Sequence, residues 1–248
     1  DVSLVVAVGD ITEALGTDGE YREVKQFFSR LAKPFIPIPG NHDYIYADTL
    51  TPIGKKRKAD AYMREQKLTR FQKTFGLQDR YFTRTMGNYL LVFLATDNLH
   101  GHLLAAISDA QMLWLEQTLI ANRTSPTILF FHAPLKGTLR DYNENANTEH
   151  FVAQPRDRIE TLLKNNPQVM LWVSGHTHTS PKEESFASEL NRLGQVTNIH
   201  ATDMNRKNIW TNSLFLHADR IMVKTYNHAT GTWVKTLERT IPVPHQNR

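Results

Sequence analysis

The chain has 248 residues, 40% of them hydrophobic and 22% charged, with a formal net charge of +4. That balance excludes a disordered or fibrous chain and leaves apolar mass for one sizeable core. The absence of cysteine excludes disulfide frameworks, thiolate zinc sites and cysteine nucleophiles, so any metal must use His, Asp, Glu or Asn.

The elements alternate along the chain. Asp1 opens directly into an apolar stretch, so the chain reads as one that begins inside a domain. Leu4–Val8 reads as a short buried strand running into Gly9-Asp10. Thr17 or Asp18 is placed to cap a helix carrying Tyr21, Val24, Phe28 and Leu31, ended by Pro34. Phe35–Pro39 is a strand followed at once by Gly40-Asn41-His42-Asp43. Asp60 caps a helix with Leu68, Phe71 and Phe75 on one face and Gly76 as its stop.

Tyr89–Ala95 reads as a fully buried strand, and its Leu90–Ala95 run, the longest apolar run, is too short to span a bilayer. Ser108 and Gln111 have the spacing of a capping box before Met112, Leu115 and Leu119. Thr127–Phe131 is a buried strand ending at His132. Pro155 opens a helix with Ile159, Leu162 and Leu163. Val169–Val173 is a buried strand ending at Gly175-His176-Thr177-His178. The last three strands, Asn208–Leu216, Arg220–Tyr226 and Trp233–Thr240, alternate apolar and polar residues, and Thr230-Gly231 joins the last two as a hairpin. One domain over residues 1–248 accounts for the pattern.

Charge is uneven. Gly54 to Arg84 holds ten Lys or Arg against three acids, so this segment is +7 and the remainder −3. It forms a basic insert, about residues 44–84, beside the strand ends. Such a patch suits an anionic substrate, while one short segment does not favour nucleic acid.

Polar residues gather where buried strands end: Asp10, Asn41-His42-Asp43, Asp97, His132 and His176-Thr177-His178. In an open α/β sheet that edge binds ligands. In extended backbone His176 and His178 point to one side and can each bind a metal. Asp10 can bridge two cations, Asn41 offers an amide oxygen and His132 a further imidazole. This N/O set suits Zn, Mn or Fe. Two cations share a hydroxide and clamp an in-line displacement at phosphorus. His42 can protonate a leaving oxygen while Asp43 orients its other nitrogen. His100, His102 and His200 read as surface loop histidines, and Asp97 as a cap or a support near the site. Trp114 and Trp172 read as core.

Gly9-Asp10, Gly40-Asn41-His42-Asp43, His132 in FFHAP and Gly175-His176-Thr177-His178 together resemble the calcineurin-like metallophosphoesterase superfamily, nearest in look to its cyclic-nucleotide and general phosphodiesterase branches. The resemblance spans roughly residues 1–227. It implies a four-layer α/β sandwich of two mixed sheets between helices. It implies that Asp10 bridges two divalent metals, with Asn41, His132 and His176 completing one site and His178 serving the other. His42 would be the proton donor and Asp43 its partner. The family's opening Asp-x-His motif precedes the Gly-Asp motif and is absent from this chain, so its N-terminal strand is expected to be missing. The Asp10–Asn41–His132–His176 site should therefore hold metal better than the Asp10–His178 site.

The expected function is hydrolysis of a small phosphodiester or phosphomonoester by a metal-bound hydroxide. A non-catalytic scaffold that kept the fold, or a nuclease, is the alternative. Compartment stays open between cytoplasmic and exported, and oligomeric state is not legible.

Overall fold

The structure, a computed structural model, describes residues 2–202 and 209–243. The expectations placed on Asp1 and Asn208 lie outside the described residues. In chain order the elements are β1 (Val5–Ala7), α1 (Asp18–Phe28), β2 (Phe35–Pro37), α2 (Asn41–Tyr44), α3 (Ala61–Phe75), β3 (Phe82–Met86), β4 (Tyr89–Phe93), α4 (Asp109–Ala121), β5 (Thr127–Phe130), α5 (Arg156–Asn165), β6 (Val169–Ser174), β7 (Arg192–Leu193), β8 (Val196–His200), β9 (Trp210–Leu216), β10 (Arg220–Asn227), β11 (Thr232–Trp233) and β12 (Arg239–Pro242).

A six-stranded sheet in the order β3-β4-β5-β6-β8-β7 forms the centre. Its β4, β5, β6 and β8 run parallel, and antiparallel β3 and β7 close its edges. The side chains of β4 and the residue after it explain why this run is apolar throughout. Leu90, Val92 and Leu94 enter one core with Met112, Leu115 and Leu119 of α4 and Ile159 and Leu163 of α5. Tyr89, Leu91 and Phe93 enter a second core with Ile36, Ile221, Val223 and Ile241. A strand covered on both faces has no polar side to show.

The layer over the second core is in two pieces, a parallel β1-β2 pair and an antiparallel sheet in which β10 pairs with β9, β11 and β12. Helices α1 and α3 cover the first piece: Phe28 stacks on Phe35 at 4.2 Å, and Tyr21 meets Phe71 and Phe75 at 6.2 Å. The expected α/β sandwich of sheets between helices is the fold observed. The second layer differs from one mixed sheet in being split.

Local signals hold with several corrections. Thr17 and Glu20 form a capping box, and Asp60 and a left-handed Gly76 bound α3. Helix α1 ends at Phe28, short of Leu31. Ser108 caps α4 as expected, but Gln111 does not close the box. Its amide instead binds the backbone N–H and carbonyl of Ala95, fixing α4 to the end of β4. Trp233–Thr240 is not one strand, because a single tight turn at Lys235–Leu237 separates β11 from β12. Strand β8 escaped the sequence reading because Thr197, Asn198 and His200 are buried polar residues within it. Asn198 accepts from the Leu135 amide and donates to Ser174 Oγ, which satisfies it in the core.

Candidate metal centre

Strands β1, β2, β5 and β6 deliver their following loops to one place. Asp10 sits at φ 51° after Gly9 at φ 96°. A Cβ on Gly9 would lie 2.3 Å from His132 Nδ1, and one on Gly40 would lie 2.3 Å from Asp10 Oδ1. Glycine at both positions lets the loops close until their side chains meet. Asp10 Oδ1 accepts from the His42 amide at 2.9 Å, and Oδ2 lies 3.3 Å from His132 Nε2. Asn41 Oδ1 stands 3.1 Å from the same nitrogen. The His176 ring is 4.6 Å from the His132 ring. One ligand atom each from Asp10, His132 and His176 lies within 4.8 Å of the others.

The donor set fits a divalent cation. His132 Nδ1 lies 2.9 Å from the Val8 carbonyl and donates to it, so a neutral ring turns a bare Nε2 toward the oxygens of Asn41 and Asp10. Three acceptors facing one another need a proton or a cation between them. His176 Nε2 donates to the His150 carbonyl at 3.0 Å, and its ring stacks on Phe151 at 4.9 Å. Burial and the neighbouring His132 pull its pKa down to about 3, which keeps this imidazole neutral and able to ligate. Burial works to raise the pKa of Asp10, but His132, His42 and His176 outweigh it and hold the carboxyl well below its usual range. Two imidazole nitrogens, a carboxylate and an amide oxygen suit Zn, Mn or Fe.

Asp10, Asn41, His132 and His176 thus converge as expected. His178, expected at the second site, is exposed and outside the group of Asp10, His132 and His176, and His176 and His178 have φ of 66° and 49°. Neither residue is extended, so the argument that both point to one side does not apply. His42 is half-buried beside the cluster, with Nδ1 2.5 Å from the Glu13 carbonyl.

The pairing of Asp43 with His42 is not observed. Asp43 accepts instead from the amides of Gly40, Ile11 and Thr12 and from the Thr12 hydroxyl. It clasps the two loops that carry Asp10 and Asn41. Burial and the charge of Asp10 push its pKa up to about 6 against those donors.

The other candidates separate. Asp97 accepts from the amide and hydroxyl of Ser108, the residue that caps α4, and is not in the cluster of Asp10, His132 and His176. His100 and His102 are exposed. His200 is 1% exposed, so it is a core residue and not a loop histidine. Four of the ten cations of the basic insert are engaged internally. Lys67 and Arg70 bind Asp48, Arg80 binds Glu65, and Arg64 binds the carbonyls of Ala59 and Gly101. The contributions of Phe151, the Val8 carbonyl and the His150 carbonyl were not legible in the sequence, because stacking and main-chain acceptors leave no motif.

A sequence model of the calcineurin-like phosphoesterase family matches residues 1–180. A probable glycerophosphodiester phosphodiesterase of Arcobacter nitrofigilis is 27% identical over 180 residues, covering 71% of this chain and 56% of that protein. The chain therefore spans about half the length of the curated relatives it matches. Among solved structures, a dimetal phosphatase from Danio rerio superposes with a TM-score of 0.66 at 13% identity, over 98% of this chain and 84% of the other. The Plasmodium protein GAP50, described as the anchor in the inner membrane complex, superposes with a TM-score of 0.58 at 12% identity, over 99% and 80%. One fold is thus shared by a phosphatase and an anchor, so the fold alone does not assign activity.

Proposed function

The chain belongs to the calcineurin-like phosphoesterase family, and we propose that it is a metal-dependent phosphoesterase hydrolysing a small phosphodiester or phosphomonoester. The observation that carries this reading is the convergence of Asp10, Asn41, His132 and His176 at one buried point. A scaffold has no use for such a set. A nuclease reading is not favoured, since Arg64, Lys67 and Arg70 of α3 are engaged inside the protein.

Asp10, Asn41, His132 and His176 would hold one divalent ion, and Asp10 with His178 would contribute to a second. Such ions, when bound, neutralise charge on phosphoryl oxygens and lower the pKa of the attacking water. The Val8 and His150 carbonyls fix the two imidazoles in the tautomers that ligation needs. The Glu13 carbonyl holds His42 Nδ1–H, so a proton carried on Nε2 is the one available to a leaving oxygen. Asp43 acts at a distance, by keeping the Asp10 and Asn41 loops together.

The test is hydrolysis of bis(4-nitrophenyl) phosphate and 4-nitrophenyl phosphate by protein supplied with Mn, Zn or Fe. We expect turnover of at least one, lost on chelation and in His176→Ala. Protein that retains metal but hydrolyses neither would overturn the reading.

A further inference from the structure

We propose that the loop of residues 54–58 is an anion subsite, in which Lys56 and Lys58 hold a second negatively charged group of the substrate, a phosphate or carboxylate beyond the scissile phosphoryl. The proposal rests on the phosphoesterase reading and adds what kind of phosphoester fits.

The placement comes first. Lys56 Nζ stands 3.4 Å from His42 Nδ1 and 5.0 Å from the centre of the Tyr46 ring. Lys58 Nζ donates to the His102 carbonyl at 2.5 Å. The His102 ring is 6.0 Å from that of His150, whose carbonyl receives His176 Nε2. One short loop therefore sets Lys56 beside the proposed proton donor and, two residues on, Lys58 against the loop of His102.

Lys58 meets a carbonyl and Lys56 a ring face, so neither charge is neutralised there. The internal partners already described account for Arg64, Lys67, Arg70 and Arg80. Among the described residues, no carboxylate forms an ion pair with Lys56 or Lys58. Both lysines are exposed and face solvent where a substrate arrives.

The loop is also built rather than loose. The Ala47 amide donates to the Arg57 carbonyl at 2.9 Å, Thr51 to Lys55 at 2.8 Å and Ala59 to Ile45 at 2.7 Å, and Tyr46 bridges Lys58 in antiparallel register. A held main chain lowers the ordering cost of using these side chains. Lysine is a compact point charge that serves a phosphate or carboxylate without demanding the bidentate geometry of arginine.

The experiment uses two 4-nitrophenyl esters that differ by one remote phosphate: thymidine 5′-(4-nitrophenyl phosphate) and its 3′-phosphorylated form. At low ionic strength, where screening is weakest, the ester with the remote phosphate should show a KM about tenfold lower, the size of one charge-assisted contact. Lys56→Gln with Lys58→Gln should erase that gap, and Lys56→Arg with Lys58→Arg should restore it. Equal KM values in the unmodified protein, or a gap that survives the glutamine pair, would overturn the subsite. Calorimetric binding of thymidine 3′,5′-bisphosphate against thymidine 5′-phosphate, with metal content measured, separates the two readings. If neither ester is hydrolysed yet the bisphosphate binds about tenfold tighter and the glutamine pair removes the difference, the activity reading fails and the subsite stands. If the bisphosphate binds no tighter, the subsite fails.

Discussion

The main-chain amide of His42 donates to Asp10 Oδ1 at 2.9 Å. The residue that carries the proposed proton donor thus positions the proposed metal-bridging carboxylate, and does so without its side chain. Ring and backbone of His42 have separable jobs.

His42→Ala keeps that amide, so the metal content measured by elemental analysis should stay close to the unmodified level. Turnover of an alkyl phosphoester should fall about a hundredfold to ten-thousandfold, the usual contribution of a positioned acid. His176→Ala should instead lose metal together with activity. Equal metal loss in both variants would make His42 a ligand and sink the assignment.

Lys67 is buried, and its ammonium meets Asp48 at 2.5 Å and the carbonyls of Leu15 and Gly16 in the loop that follows Asp10. Asp48→Asn leaves this charge without its counterion. We expect a loss of about 2 kcal/mol in urea unfolding, less than for a wholly enclosed pair because water reaches Asp48. Lys67→Met removes the buried charge altogether and should cost less than Asp48→Asn. The reverse order would show that the ion pair is not what holds the loop.

His200 gives a pH dependence. Burial, with the charge of Arg239 adding to it, brings its pKa down to about 3 despite the Thr138 carbonyl. An unfolded chain binds this proton near pH 6.5. The depressed value therefore means stability that is present above pH 6.5 and lost as pH falls from there toward 3, by about 1 kcal/mol per unit. His200→Gln should flatten unfolding free energy across that window. An unchanged slope would show that other groups set the acid limb.

Arg239 places its guanidinium 5.9 Å from the centre of the Phe186 ring, and none of its three nitrogens has a hydrogen-bond partner among the described residues. Burial draws its pKa down to about 10. An unpaired buried charge costs stability that an apolar side chain of similar length does not. Arg239→Met should raise the unfolding free energy by about 1 kcal/mol or more. A clear loss of stability would mean that the guanidinium has a partner in solution.

The sequence by itself determined which candidate metal ligands lie in short motifs. Gly9-Asp10, Gly40-Asn41-His42-Asp43, His132 and Gly175-His176 each follow a strand, and glycine before a polar residue is a local signal that survives in any register. The helix caps Thr17, Asp60 and Ser108 were legible for the same reason, since a cap is settled within four residues.

Tertiary structure decided what depends on distant chain. The partners of Asp43 are set by how the 10–16 loop folds onto α2. Four cations of the basic insert are taken up because Asp48, Glu65 and two carbonyls reach them, and Lys56 acquires a role only when the loop lays it beside His42. His176 and His178 both turned left-handed, a backbone choice that spacing cannot reveal. Hydrogen bonds and charge pairing fall off within a few ångströms, so a side chain's function follows from which loop arrives next to it, and that is a property of the packed layers rather than of neighbouring residues.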